Sequence, residues 1–299
     1  MKRDSFSMDQ PGGAGPGFWL PLAWIALVLA AAVSAEWLPL PPPDWMDWNN
    51  PASSPGSIGH FSATADQENA RVTNQVYWLG TDSMGRDIFS RLVFGARVSL
   101  TVGLTAPAIG MVLGGFLGLL AGYHGGRVDA VIMGVMDTVL AFPGLVLLLA
   151  VTYYLGQGLP NLMLSLGFLS VPAFCRVARA KTITVSGLEF VQAAQMMGAS
   201  RLRVMTLEIF PNIFIALMIY GLFVSAYIIV AEGALSFIGL GVPAPTPSWG
   251  GMIAEGREVL GEAPHVTLIP AAAMFLTVLS FNLLGDWLRS RFDPKGRQM

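Results

Sequence analysis

What limits the fold most is a series of long stretches with almost no charge. From Phe18 to Ala35, and again from Val98 to Tyr123, no Asp, Glu, Lys or Arg interrupts the chain. Further apolar runs cover Val128 to Leu155, Asn161 to Ala180, Ile213 to Ala231 and Val266 to Gly285. About 20 such residues in a helix cross the hydrocarbon of a bilayer, where every backbone polar group must be satisfied within the segment. Only 12% of the 299 residues are charged, against about a quarter in a soluble domain, and the mean hydropathy is +0.59. The expected fold is an all-α polytopic membrane protein with six transmembrane helices.

Several function classes fall away on composition. The net charge is −2, so nucleic acid is not an expected partner; membrane lipid is. Cys175 is the sole cysteine and His60, His124 and His265 lie far apart. Neither a disulfide nor a metal site is therefore expected. No GxxxxGK[ST] stretch is present, so ATP hydrolysis is not expected of this chain. A membrane-embedded enzyme would need a clustered set of His, Ser or carboxylates, and none is readable. A secondary transporter working alone would need acids or broken helices at mid-membrane. Asp137 is the one acid that comes close. It lies ten residues past Arg127, about 15 Å along a helix, and is expected to anchor to a nearby Arg.

Charge asymmetry orients the spans. Lys2 and Arg3 precede the first apolar run, Arg176, Arg179 and Lys181 close the fourth, and Arg289, Arg291, Lys295 and Arg297 follow the last. Basic residues stay inside, so both termini are expected in the cytoplasm. The first run also mimics a secretory signal peptide, but it exceeds the usual apolar length of one, and a retained span is expected. The expected organisation is a tail over 1–17, a first span over 18–37 and an outer segment over 38–97. A core of five spans over 98–289 and a tail over 290–299 follow. Gly110, Gly114, Gly118, Gly122 and Gly126 recur every four residues in the second span, a ridge that lets another helix approach closely. His124 to Arg127 is expected to form a tight inner turn. Glu232 to His265 reads as a second outer segment with four carboxylates against Arg257.

Two polar stretches stand out against this background. In WLGTDSMGRDIFSRLVFGARVSL, from Trp78 to Leu100, Thr81 or Asp82 is expected to cap an amphipathic helix on the outer membrane surface. Ile88, Phe89, Leu92 and Val93 would share its apolar face, with Arg86, Asp87 and Arg91 opposite. In GLEFVQAAQMMGASRLRVMTLEIFPN, from Gly187 to Asn212, Phe190, Ala193, Ala194 and Met197 have one-face helical spacing. Gly198 suits the helix end, Ser200 a second N-cap with Leu202, Met205 and Ile209 on one side, and Pro211 the exit.

The second stretch resembles the cytoplasmic coupling loop, or EAA motif, of bacterial ABC importer permeases. Ala193, Ala194, Gly198 and Pro211 match; Gln192 stands where that family usually has Glu, and Phe210 where it usually has Leu. The first stretch resembles the LGTDxxGRDxxSRxxxGARxSL signature of the oligopeptide and dipeptide group, matched at Gly80, Thr81, Asp82, Gly85, Arg86 and Asp87. EGALSFIGLGVPAPTPSWGG from Glu232, and Asn282, Gly285, Asp286, Asp293 and Pro294, resemble further motifs of that group. The resemblance implies a type I-like permease fold without a catalytic site. It implies a homologous second permease, two ATP-binding subunits docking on 187–212 and holding ATP and Mg, and an extracytoplasmic binding protein. It implies di- or oligopeptide cargo, with nickel, another chelate or a glutathione-like peptide as alternatives.

Overall fold

The computed structural model describes residues 15–62 and 72–292. The N-terminal tail up to residue 14 and the closing residues Asp293, Pro294, Lys295 and Arg297 lie outside the described residues. Helix α1 (Pro16–Ser34) leads to a short antiparallel hairpin, β1 (Ser57–Ser62) with β2 (Val72–Tyr77), in register from Ser57 opposite Tyr77. Long helix α2 (Ile88–His124) follows, then α3 (Gly126–Ala141), α4 (Gly144–Leu155) and α5 (Leu159–Ser186). Short α6 (Glu189–Met196) and α7 (Arg201–Arg203) precede a π-helical turn, Val204–Ile209, which runs directly into α8 (Phe210–Phe237). Helices α9 (Trp249–Gly256) and α10 (His265–Phe292) complete the described residues.

Among the described residues, five helices are long and apolar enough to cross a membrane: Gly17–Ser34, Ile88–His124, Leu159–Ser186, Arg201–Phe237 and His265–Phe292. Helices α3 and α4 make a sixth span if the pair counts as one, bent by 84°. The third span expected from Val128 to Leu155 thus has a sharp bend at its middle. Phe142 is extended (ψ 131°), because the ring of Pro143 disfavours the α conformation in the residue before it.

The glycine ridge is the seam between α2 and α5. A Cβ at Gly110 would meet the side chains of Ser170 and Phe174. One at Gly114 would meet the Val171 carbonyl, at Gly118 the Cys175 carbonyl, and at Gly122 Thr182 and the Arg179 carbonyl. The two backbones therefore touch where an alanine would hold them apart. Gly126 does not continue the ridge: the chain turns at Gly125 (φ 61°) and Gly126 (φ 52°), and Gly126 opens α3. On the far side α1 packs against α10, where Trp24 Nε1 donates to Thr277 Oγ1 at 3.0 Å.

Three expected boundaries shift. The outer amphipathic helix is not separate from the second span: α2 runs unbroken across the expected limit between 97 and 98. Its cap is Asp87, whose carboxylate accepts from Phe89 N (3.1 Å) and Ser90 N (3.3 Å), not Thr81 or Asp82. The fifth span does not stop at Ala231 but carries Glu232 inside α8. Pro211 does not end a helix. Lacking an N–H and crowding the carbonyl four residues back, it is accommodated by the π turn, in which Phe210 N reaches Met205 O.

Candidate functional site

Two polar constructions sit at opposite ends of the bundle. At one end, that of the β-hairpin, the chain before α2 folds into a tight knot. Gly80 and Gly85 have φ of 81° and 74°, and a Cβ at Gly85 would strike the backbone of Asp47, so only glycine fits there. Thr81 is fully buried; its hydroxyl accepts from Ser53 N at 2.8 Å and donates to the Asn50 carbonyl. Asp82 Oδ1 accepts from Met84 N and Arg86 N, both at 2.9 Å, and Oδ2 from Arg86 Nε at 2.6 Å. Glu255 on α9 then accepts from Arg86 (2.6 Å) and Arg91 (2.8 Å).

Arg86 and Arg91 are each 1% exposed and Asp87 is 3% exposed. This corrects the expected water-facing side of the helix: both of its faces are covered, Ile88 and Val93 by the core and the charged residues by one another. Two cations against the carboxylates of Asp82 and Glu255 leave the cluster neutral, the condition for burying charge. Burial, opposed by the two capping N–H groups, raises the Asp87 carboxyl above its ordinary value. Burial and the Asp47 carboxylate raise the Tyr77 phenol, which donates to Asp47 at 3.0 Å.

Beside this knot lies a group that sequence reasoning missed. Glu232 is fully buried, and its Oε1 accepts from Ser236 (2.9 Å) and from Ser248 (2.8 Å) at the N-cap of α9. Ser99 of α2 in turn accepts from Trp249 N at 3.1 Å, and Trp249 Nε1 donates to the Leu92 carbonyl at 3.0 Å. The carboxylate thus fastens α9 to α8, with α2 bonded to the same turn. Glu255 was missed as well. The excess of acid after Glu232 and the arginines around Arg86 were a readable complement.

At the opposite end of the bundle, α6 closes in a two-bond terminus. Ala199 N donates to Ala194 O (3.1 Å) and Gly198 N to Gln195 O (3.0 Å), with Gly198 at φ 84°. That pairing requires the left-handed conformation at Gly198. Ser200 caps the following helix, accepting from Arg203 N at 3.4 Å. Val191 packs into a core with Val185, Val204, Met205, Ile209 and Ile213, and Ala194 is buried as well. The expected shared face of α6 is therefore split. Ala194 points inward with Val191, while Phe190, Ala193, Met196 and Met197 are exposed. Leu202 is also exposed, apart from Met205 and Ile209. Gln192 is exposed, its side chain donating to Gly187 O at 3.2 Å. Pro211 stands at the start of α8. Between the spans, Arg179 forks onto both Asp129 oxygens, and Arg176 meets Asp137 at 2.6 Å, the arginine partner expected for that acid.

A multi-span helical bundle with a capped helix–glycine–helix element at one end and a closed knot at the other has the form of a membrane permease subunit. The chain belongs to the family of binding-protein-dependent transport system inner membrane components, whose profile matches residues 114–298. It is the inner-membrane permease component of an ABC importer. It is 41% identical over 222 residues to the glutathione transport system permease protein GsiD of Pectobacterium atrosepticum, covering 74% of each chain. It is 38% identical over 273 residues to the GsiD proteins of Escherichia coli and Shigella boydii, covering 91% of this chain and 84% of theirs. A solved structure described as an amino acid ABC transporter with histidines matches 68% of this chain and 94% of its own. Its TM-score is 0.53 and its identity 18%, a likeness of fold.

Proposed function

We propose that the chain forms half of the path for a short peptide, with a glutathione-like tripeptide as its cargo. The observation carrying this reading is the similarity to glutathione transport permeases along nearly the whole chain. A homologous second permease supplies the other half. Two ATP-binding subunits dock on 187–212 and hold ATP and Mg, so this chain binds no cofactor. An extracytoplasmic binding protein delivers the cargo to the outer end. Exposed Phe190, Ala193, Met196 and Met197 on α6 support the docking reading, since an apolar helical face outside the hydrocarbon fits a groove on a partner. With Gln192 in place of a carboxylate, that contact rests on shape rather than on charge at this position. Gly80, Thr81, Asp82, Gly85, Arg86 and Asp87 have a structural part: they lock the outer entrance to α9.

The experiment is calorimetric titration of the cognate binding protein with glutathione, dipeptides and nickel chelates, followed by uptake in vesicles holding the whole complex. Glutathione is expected to bind tightest and to be taken up only with ATP. Uptake of a dipeptide or chelate in preference would replace the cargo assignment, and uptake without ATP would overturn the importer partners.

A further inference from the structure

The pair of Asp137 on α3 and Arg176 on α5 is out of place for an ordinary anchor. Their side chains are 60% and 51% exposed, although Asp137 is flanked along α3 by Ile132, Met133, Val135, Met136, Val139 and Leu140. It lies eight residues beyond Asp129, about 12 Å deeper along the helix. Anchoring of α3 to α5 is already provided by the forked contact of Arg179 with Asp129, whose side chains are 34% and 19% exposed. Charged groups at such depth do not face lipid; they face water or one another, and they mark the routes of ions and substrates. The contact is also open. One Asp137 oxygen meets one Arg176 nitrogen, which leaves the rest of both heads turned outward. One turn earlier on α3, a Cβ at Gly134 would meet nothing within 4 Å.

We propose that this face of α3 and α5 lines the aqueous path, and that Asp137 and Arg176 meet the opposite charges of a zwitterionic peptide passing through it. A guanidinium with free N–H donors receives a carboxylate, and a carboxylate with a free oxygen receives an ammonium. Glutathione-like cargo carries both, and the proposal rests on that reading of the cargo. Arg176 and Asp137 are then specificity-determining residues of the permease itself, beyond the selection made by the binding protein.

The test uses the complete transporter in vesicles. Thr138→Cys, exposed beside Asp137, is treated with a membrane-impermeant thiol reagent; Cys175, fully buried, serves as background in the unsubstituted chain. Labelling is expected, slowed during peptide turnover. Arg176→Gln and Asp137→Asn should each lower peptide uptake about tenfold, the loss of one charge-assisted contact. ATP turnover stimulated by loaded binding protein should persist, and Arg176→Lys should recover part of the uptake. A Thr138→Cys thiol unreactive in every nucleotide state would overturn the placement. Normal uptake rate and KM in Arg176→Gln would overturn the cargo contact. So would loss of assembled complex in both single variants that is restored by exchanging the two charges. If the unsubstituted transporter takes up no peptide, the cargo reading fails, while the labelling still decides whether this face lines the path.

Discussion

Gly198 ends α6 at φ 84° with no neighbour within 4 Å of where a Cβ would stand, so substitutions there act through the backbone alone within this chain. A side chain in the left-handed region costs about 1–2 kcal/mol, and a β-branched one more. Gly198→Val is expected to insert and assemble its spans while losing transport, either by releasing the ATP-binding subunits or by uncoupling their turnover from the loaded binding protein. Gly198→Asn should retain most transport, because Asn tolerates this conformation. Uptake and ATP turnover measured on the same vesicles give the answer; a normally transporting Gly198→Val would remove the inner element from the coupling role. This position was legible because a glycine after an amphipathic run has one common reason to be there. Glu232 and Glu255 were not, because a carboxylate in an outer segment reads as solvated until the serines or arginines that face it are brought in from other helices.

For the elements, the long uncharged runs gave the spans, since hydrocarbon thickness sets their length. The ridge of glycines on α2 gave a packing seam but not its partner. Gly114→Leu should be the sharpest probe of that seam, because even its first carbon would meet the Val171 carbonyl, Phe174 Cβ at 2.8 Å and Cys175 N at 2.9 Å. A cost of about 1–3 kcal/mol from overpacking is expected, read as a lower unfolding temperature in detergent. Gly221→Ala, open to 4 Å around, should change it little; equal effects from the two would mean α2 and α5 do not meet as described. Proline was the misleading signal. Pro143 breaks a span that looked continuous, while Pro211 sits in a helix it was expected to end, and Pro107, Pro172 and Pro270 lie inside helices. A proline states that one N–H is missing, and only the packing of the neighbouring turns decides between a kink, a π turn and a stop.

For the whole molecule, the basic residues at one end of α5 and α10 lead us to propose that this end faces the cytoplasm. Cysteines at Ser54, exposed just before the hairpin, and at Ser200, exposed after α6, separate the two faces. In intact cells an impermeant reagent should label Ser54→Cys and spare Ser200→Cys; the reverse pattern would invert the topology. Along this same axis runs the unbroken helix Arg201–Phe237, whose 37 residues span about 55 Å at the helical rise. Its first turn adjoins α6, and its last is fastened through Glu232 to α9. A stiff rod pivoting in a bundle behaves as a seesaw. A tilt of roughly 5° about its midpoint would carry each end on the order of 2 Å, in opposite senses. With one rod reaching both ends of the bundle, a shift at α6 and an opposite shift at α9 become a single movement, and no relay of side chains between them is required.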